Sequence, residues 1–336
     1  MSSTPTQPVP WNYRAPWWLP GGDAQTIWAS LFSAPGPFAP PPYRRVRWDT
    51  PDGDFIDLDF LEAAPSATGS AQRPLLVLFH GLEGNSTGHY ALAFAQSAQA
   101  HDMDFVTPHF RGCSGEINRA PRAYYAGDYA EIGWILERLR QTHKGAIFAV
   151  GISLGGNALL RWGQEAGHSA NTNAAALCAV CAPLDLTACG LHISQGFTHL
   201  LYGRRFLQTM KPKALQKWAQ FPGLFDREAL LRGRTLLDFD QVFTAPLHGF
   251  GGALDYWKRA SAGPELGRLR LPSLVINARN DPFVPASSLP AAGSLPPDVL
   301  LWQPAEGGHV GFPSGAPPGH LGFLPAQVLG WFKQFT

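Results

Sequence analysis

Two patterns of apolar and polar residues follow one another along the chain. Residues 43–49 and 54–63 alternate apolar and polar side chains, as half-buried strands do, and the Asp-Gly pair at 52–53 lies between them. This arrangement predicts an antiparallel hairpin. From residue 75 onward, short continuous apolar runs alternate with segments of helical period, a pattern typical of strands buried on both faces.

The second pattern continues without interruption to residue 186. Its predicted strands and helices are, in chain order, PLLVLFHG, YALAFAQSAQAH, DFVTPHF, GDYAEIGWILERLRQTH, AIFAVG, LGGNALLRWGQEAG and AALCAVCAPL. Two more strands, PSLVINA and DVLLWQP, precede a C-terminal helix around PAQVLGWFKQF. Strands and helices that alternate at this spacing indicate an α/β fold with right-handed crossovers. We therefore predict a mostly parallel, eight-stranded sheet flanked by helices.

The alternation stops after Leu186 and resumes at PSLVINA, with helix-like pieces such as LLYGRRFLQTM and DYWKRAS in between. We interpret residues 187–265 as a helical cap inserted into a core of residues 43–186 and 266–336. Residues 1–42 are rich in proline and tryptophan, and we expect them to pack on this core. They contain one predicted helix, DAQTIWASLF, with Asp23 in position to act as its N-cap.

The charge balance narrows the class of ligand. The 336 residues carry 26 basic and 25 acidic side chains, so the protein has no strong field to attract nucleic acid or an anionic membrane. A neutral or apolar small molecule is the expected ligand. We find neither a signal peptide nor an apolar run of about 20 residues that would form a transmembrane segment, and we predict a cytoplasmic protein.

The cysteines indicate neither a disulfide framework nor a metal site. Cys178 and Cys181 form a CxxC pair, but within a predicted strand their side chains point to opposite faces and do not converge on a metal ion. We expect both to be core residues, and we expect no metal and no organic cofactor.

The stretch GISLGGNALL places Ser153 in a G-x-S-x-G pentapeptide. Ser153 is either the N-cap of an ordinary helix or a catalytic nucleophile. The pentapeptide lies directly between a buried-type strand and a helix, where glycines permit the sharp turn that exposes a nucleophile. This context favours the nucleophile.

A base and an acid follow Ser153 in the order found in α/β-hydrolases. His309 lies in a glycine-rich loop after the last predicted strand, and Asp281 lies just after the strand before it. A surface imidazole and an ordinary Asp-Pro turn are the alternative interpretations of these two residues. Asp185, which follows another strand, is the second candidate for the acid.

The segment FHGLEGNS supplies the remaining requirement of acyl transfer, donors for an oxyanion. It follows an early buried strand, so we expect the backbone amide of Leu82 to face the substrate carbonyl oxygen, with the amide of Leu154 as the second donor. Glu83 and Asn85 are interpreted as residues that shape this loop.

Several longer segments resemble the YheT-like (ABHD-type) branch of the α/β-hydrolases. They are WLPGGDAQTIW, HGLEGNSTGHY, HFRGCSGEINRAPRAYYAGD, GISLGGNALLRW, HGFGGALDYWKRAS, NARNDPFVP and GGHVGF. The resemblance implies an α/β-hydrolase fold, carboxylesterase or lipase-like activity, and a triad of Ser153, Asp281 and His309. The chain lacks the hydrophobic N-terminal helix of the membrane-anchored members of this branch.

The leading functional hypothesis is hydrolysis of short- to medium-chain acyl esters through an acyl-enzyme intermediate. The alternatives are acyl transfer by the same triad to an alcohol or thiol, and a non-catalytic binding protein on a hydrolase fold. We expect Arg111 and Cys113 to brace a loop rather than to line the pocket floor. Apolar cap residues are predicted to cover an acyl chain, with packing on the sheet as the alternative, namely Phe197, Leu200, Leu201, Tyr202, Phe206 and Trp218.

Overall fold

The computed structural model describes residues 11–33, 41–63, 72–291 and 295–336. Its strands are β1 (Arg44–Asp49), β2 (Phe55–Leu61), β3 (Leu75–Phe79), β4 (Asp104–Pro108), β5 (Ile147–Ile152), β6 (Ala176–Val180), β7 (Ser273–Ile276) and β8 (Val299–Trp302). They form one sheet in the order β1-β2-β4-β3-β5-β6-β7-β8. Strand β2 pairs antiparallel with β1 and β4, and every other pairing is parallel. The predicted hairpin and the mostly parallel sheet are both confirmed.

Helices cover both faces of the sheet and one end of it. The α-helices are α1 (Gly21–Leu31), α2 (His89–Ala100), α3 (Tyr129–Thr142), α4 (Leu154–Ala166), α5 (Ala170–Asn173), α6 (Leu186–Ile193), α7 (Gly196–Thr198), α8 (Arg204–Gln220), α9 (Arg227–Arg232), α10 (Leu236–Phe239), α11 (Ala245–Leu247), α12 (Ala253–Ala260) and α13 (Phe323–Phe332). The π-helical segment His199–Gly203 joins α7 to α8, and the π-helical segment Asp240–Thr244 joins α10 to α11.

Strand β3 shows why the apolar runs are continuous in the central strands. All five of its residues are buried, and successive side chains point to opposite faces of the sheet. Leu75, Val77 and Phe79 join a cluster with α3 and α4, whereas Leu76 and Leu78 join a second cluster with α2 and α13. A strand that is covered on both faces has no position left for a polar side chain.

The described N-terminal residues lie against the C-terminal part of the core. The Trp11 ring contacts the Trp302 ring edge to face, and the Tyr13 hydroxyl donates to the Pro313 carbonyl oxygen at 2.8 Å. The prediction that Asp23 caps α1 is wrong, because the helix begins two residues earlier with Pro20 at the N-cap position. Asp23 instead accepts a hydrogen bond from the Tyr202 hydroxyl at 2.8 Å.

All the named elements between β6 and β7 are helical. Their apolar side chains form a separate cluster around Phe239, Phe243 and Trp257, and α12 packs closely on α6. At that contact a Cβ atom added to Gly190 would lie 2.6 Å from the Trp257 ring. Within the described ranges, no helix has both the length and the apolar character needed to cross a membrane.

Candidate active site

The turn from β5 to α4 holds Ser153 in an unusual backbone conformation. Its φ angle is +52°, a value that side-chain-bearing residues rarely adopt. The flanking glycines permit this turn, since a Cβ atom on Gly155 would lie 2.4 Å from the carbonyl oxygen of His80. Ser153 occupies the N-cap position of α4, but its side chain makes no capping hydrogen bond. The hydroxyl is instead directed at His309.

The three residues of the predicted triad, Ser153, His309 and Asp281, lie next to one another in the structure. The Ser153 Oγ atom lies 3.0 Å from Nε2 of His309, and Nδ1 of His309 lies 2.8 Å from Oδ2 of Asp281. Oδ1 of the Asp281 carboxylate accepts hydrogen bonds from the amides of Phe283 and Val284, at 2.7 and 3.2 Å. A carboxylate at Nδ1 favours the tautomer that has its proton there, and Nε2 is then free to accept the hydroxyl proton.

The second candidate for the acid, Asp185, has a different role. It is the N-cap of α6, and its Oδ1 atom accepts a hydrogen bond from the Ala188 amide at 2.9 Å. The structure thus separates the two carboxylates, since Asp281 contacts the imidazole and Asp185 caps a helix.

Helix α1 fixes the loop that carries His309, through two residues whose role was not predicted from the sequence. The Thr26 hydroxyl accepts from the His309 amide at 2.8 Å, and the Gln25 side-chain oxygen accepts from the Gly307 amide at 2.9 Å. The side-chain oxygen of Asn280 also holds this loop, because it accepts a hydrogen bond from the Gly308 amide at 3.0 Å. The segment WLPGGDAQTIW contained the signal for this role, but only the folded chain shows its partner.

The loop after β3 passes directly against Ser153. A Cβ atom on Gly81 would lie 3.3 Å from the Ser153 Cβ atom, so Leu82 follows within reach of the nucleophile. His80 holds this loop, because its Nδ1 atom bonds the Gly81 carbonyl oxygen at 2.8 Å and its Nε2 atom accepts from the Phe110 amide at 3.0 Å. Burial lowers the pKa of His80 to about 3, so the imidazole is neutral.

Glu83 connects the same loop to helix α8. Its φ angle is +58°, and its amide donates to the Tyr124 hydroxyl at 2.9 Å. That hydroxyl donates in turn to Oε1 of Glu83 at 2.8 Å, and Oε2 pairs with Lys213 of α8 at 2.9 Å. The residue interpreted from sequence as a loop-shaping one thus also joins the loop to α8.

Two cavities meet at Ser153 and His309. The inner cavity, of about 150 Å³, lies between the core and the helices that follow β6, and most of its lining is apolar. The outer cleft, of about 580 Å³, opens between α1, the start of α2 and α8. Six residues line both spaces, namely Leu82, Glu83, Ser153, Phe206, Phe283 and His309. The inner cavity is also lined by Leu154.

Only part of the apolar set named from the sequence lines these spaces, and its contact with an acyl chain stays a prediction. Phe206 lines both spaces, and Leu201 and Tyr202 line the outer cleft. Phe197 and Leu200 are 68% and 55% exposed and line neither space. Trp218 also lines neither, and packs against the helical cluster instead. Composition alone does not show which face of a helix is turned toward the site.

Cys181 is closer to the site than the sequence indicated. It follows β6, accepts a hydrogen bond from the Val310 amide at 3.3 Å, and lies with Asp281 and His309 in a group whose possible ligand atoms are within 4.8 Å of one another. Burial raises the pKa of its thiol well above the usual value, so the thiol is protonated. Cys178 is buried in β6 among apolar residues, as predicted.

Arg111 braces the β-hairpin against α3. Its guanidinium is buried and pairs with Asp52 and Asp54 at 2.8 Å and with Glu131 at 2.5 Å. Cys113 lines neither the inner cavity nor the outer cleft, and burial raises the pKa of its thiol to about 12. These contacts fit the bracing interpretation of both residues.

Residues 74–316 match the protein-family model described as the alpha/beta hydrolase fold. The putative esterase YheT of Escherichia coli (strain K12) is 37% identical over 314 residues, which cover 93% of this chain and 90% of that protein. Phospholipase ABHD3 of Mus musculus is 28% identical over 301 residues, which cover 88% of this chain and 72% of that protein.

Among solved structures, the Pyrococcus furiosus esterase Pf2001 superimposes with a TM-score of 0.55. The match covers 89% of this chain and 95% of that one at 13% sequence identity. At this identity the likeness shows that the two chains share a fold.

Proposed function

The chain belongs to the α/β-hydrolase family, in its branch of YheT-like esterases, and we propose that it hydrolyses short- to medium-chain acyl esters through Ser153, His309 and Asp281. The observation that carries this proposal is the unbroken line of hydrogen bonds, 2.8 and 3.0 Å long, from Asp281 through His309 to Ser153. This line ends at a cavity whose lining is mostly apolar.

In the first step, His309 accepts the hydroxyl proton while Oγ of Ser153 forms a bond to the acyl carbon. The carbonyl oxygen becomes an oxyanion, which the backbone amides of Leu82 and Leu154 stabilise. The carbon–oxygen bond to the alcohol then breaks, and His309 returns the proton to the departing alcohol. Asp281 keeps the imidazole oriented and stabilises its positive charge.

In the second step, water attacks the acyl group on Ser153, with His309 accepting a proton from the water. A second oxyanion forms and collapses, the bond to Oγ breaks, and the proton on His309 returns to Ser153. The carboxylic acid is released and the enzyme is restored. The N-terminus of α4 supports both oxyanions, because the amides of its first turn have no acceptor within the helix.

The two cavities suit the two halves of an ester. We assign the acyl chain to the inner cavity, because its lining is mostly apolar, and the alcohol to the outer cleft. A protein cavity of this size holds about six carbon atoms, as benzene-binding cavities do, which supports a short acyl chain. In this proposal residues 43–186 and 266–336 are the catalytic core, 187–265 the cap, and 1–42 a segment packed on the core.

Acyl transfer is the second candidate reaction, and the outer cleft is the observation that favours it. At about 580 Å³, this cleft has room for an alcohol acceptor beside Ser153 and His309. Hydrolysis and transfer share every step up to the acyl-enzyme, and they differ only in whether water or a bound alcohol attacks it. Product analysis in the presence of dilute alcohol separates them, since dominance of the transfer product would contradict the hydrolase assignment.

A fluorophosphonate probe together with p-nitrophenyl esters of increasing acyl length tests the nucleophile. We expect the wild-type protein to be labelled and to hydrolyse the esters. We expect Ser153→Ala to lose labelling and to lose at least about 10³-fold in kcat. Ser97→Ala is the matched control, because Ser97 lies on α2 and lines neither space around the site. Labelling and turnover retained by Ser153→Ala would show that another residue is the nucleophile.

A further inference from the structure

The inner cavity has one carboxylate on its cap side that the proposed reaction does not use. Asp240 lies in the π-helical segment Asp240–Thr244, and both of these residues line the cavity beside Phe239, Phe243 and Trp257. Asp240 is half-buried, and it is one of the residues that line the cavity. π-Helical turns inside helices are frequently found at functional sites.

The hydrogen bonds of Asp240 are incomplete for a carboxylate. Its Oδ2 atom accepts from Nε1 of Trp257 at 2.7 Å, and its Oδ1 atom accepts from the Thr244 hydroxyl at 2.6 Å. A carboxylate can accept about four hydrogen bonds, so each oxygen has capacity for another donor. Among the residues that the structure describes, Asp240 has no basic side chain within ion-pair distance.

The cavity therefore suits a chain that carries a hydrogen-bond donor better than a plain hydrocarbon chain. A plain hydrocarbon chain would displace water from the carboxylate and offer no donor in its place, and an uncompensated buried polar group is costly. A hydroxyl group on the chain would supply the missing hydrogen bond while the rest of the chain kept its apolar contacts.

We propose that Asp240 is a specificity residue that selects acyl chains carrying a hydroxyl group, which donates a hydrogen bond to its carboxylate. This proposal rests on the proposed function, because it places the acyl chain in the inner cavity. A hydroxyl fits the site better than an ammonium group does. Lys213 and Lys217 line the same cavity, and their positive charges would repel an ammonium group but not a hydroxyl.

Binding to catalytically inactive protein tests the proposal separately from turnover. The protein is Ser153→Ala, and the probes are ethyl hexanoate, its 3-, 4-, 5- and 6-hydroxy derivatives and ethyl 6-aminohexanoate, measured by titration calorimetry. We expect at least one hydroxy isomer to bind about tenfold more tightly than ethyl hexanoate, as a hydrogen bond to a charged group predicts. The isomer that binds best shows which carbon of the acyl chain lies beside Asp240.

Two double variants identify the residue responsible. In Ser153→Ala/Asp240→Asn we expect the preference to disappear, so that the Kd values of ethyl hexanoate and of the hydroxy isomer differ by no more than about twofold. In Ser153→Ala/Asp238→Asn we expect the preference to be retained, because Asp238 lies two residues before Asp240, in α10, and does not line the cavity. Thermal denaturation verifies that each variant is folded, and the comparison of ligands on Ser153→Ala alone does not depend on either.

The outcomes separate the two proposals. The inference is overturned if no ester binds, if no hydroxy isomer is preferred, if the amino ester binds best, or if the preference persists in the Asp240→Asn background. If the wild-type protein hydrolyses none of the esters while Ser153→Ala still prefers a hydroxy isomer, the hydrolase assignment fails and the specificity of the cavity stands.

Discussion

The side-chain hydroxyl of Thr26 accepts a hydrogen bond from the backbone amide of His309, although 283 residues separate the two in the chain. The oxygen-to-nitrogen distance is 2.8 Å, and the same hydroxyl donates to the Gly22 carbonyl oxygen at 2.7 Å. Thr26 therefore transmits the position of helix α1 to the loop that carries the proposed base. The N-terminal segment is thus part of what positions His309.

Replacing Thr26 tests this positioning role. Thr26→Val keeps the shape of the side chain and removes the acceptor, so we expect kcat to fall by about 10- to 100-fold with little change in KM, because a small displacement of a catalytic group is enough to slow the reaction. Thr26→Ser keeps the hydroxyl and is expected to retain most of the activity. Steady-state kinetics on a p-nitrophenyl ester measure both constants. A kcat for Thr26→Val equal to that of the wild type would show that α1 does not position His309.

The same substitution at Asp281 and at Asp185 tests which of the two is the acid of the triad. Asp281→Asn removes the charge that orients and stabilises the imidazole, and we expect kcat/KM to fall by about 10³- to 10⁴-fold. Asp185→Asn leaves a good N-cap residue at the start of α6, so we expect nearly unchanged activity and stability. Kinetics and thermal denaturation of both variants measure these effects. A large loss of activity in Asp185→Asn, with Asp281→Asn active, would exchange the two assignments.

Two glycine-to-alanine variants test the β5–α4 turn. The added methyl group in Gly155→Ala would meet the His80 carbonyl oxygen at 2.4 Å, so we expect a loss of about 1–3 kcal/mol in stability and a strong loss of activity. Gly330 lies on α13 with open space around it, and Gly330→Ala is expected to stabilise the protein by about 0.5–1 kcal/mol. Denaturant unfolding and ester hydrolysis measure both. An active, stable Gly155→Ala protein would rule out the close contact.

The carboxyl group of Asp240 should make the free energy of unfolding decrease as the pH rises. Burial raises its pKa from 3.8 to about 6 in the folded protein, so the folded state holds this proton more tightly than the unfolded chain does. Between pH 4 and pH 7 the carboxylate of the wild type must ionise inside the protein, which lowers the free energy of unfolding by up to about 3 kcal/mol. The side-chain amide that replaces this carboxylate in the Asp240→Asn variant does not titrate.

We therefore expect the stability of Asp240→Asn, relative to the wild type, to increase as the pH rises from 4 to 7. Urea denaturation at four pH values in this range measures it. Asp238→Asn should show almost no such change between pH 4 and 7, because hydrogen bonds from the Arg234 and Thr235 backbone and the Thr235 side chain help to hold the pKa of Asp238 below 3.8, so that it titrates below this range. Its carboxylate stabilises the fold once ionised. If the free energy of unfolding depended on pH in the same way for Asp240→Asn and for the wild type, the pKa of Asp240 would not be raised by folding.

Several features of the fold were predictable because they depend on local patterns. Strands β3, β5 and β6 are buried along their whole length, and a continuous apolar run is enough to identify such a strand. The β-hairpin was equally clear from its alternation and its Asp-Gly turn. Errors arose where two interpretations share the same local pattern, as with Asp23, whose position near the start of α1 resembles that of a capping residue.

The class of fold, the order of Ser153, Asp281 and His309 along the chain, and the family were all predictable from the sequence. The first two follow from short-range periodicity and from the covalent order of residues, and the family follows from the resemblance of several longer segments. The packing of the folded chain was needed to show that the Asp281 carboxylate contacts the imidazole, that Thr26 supports His309, and that Asp240 borders the inner cavity while Phe197 does not. These relationships join residues far apart in the chain, and they exist only after the sheet and its helices have packed together.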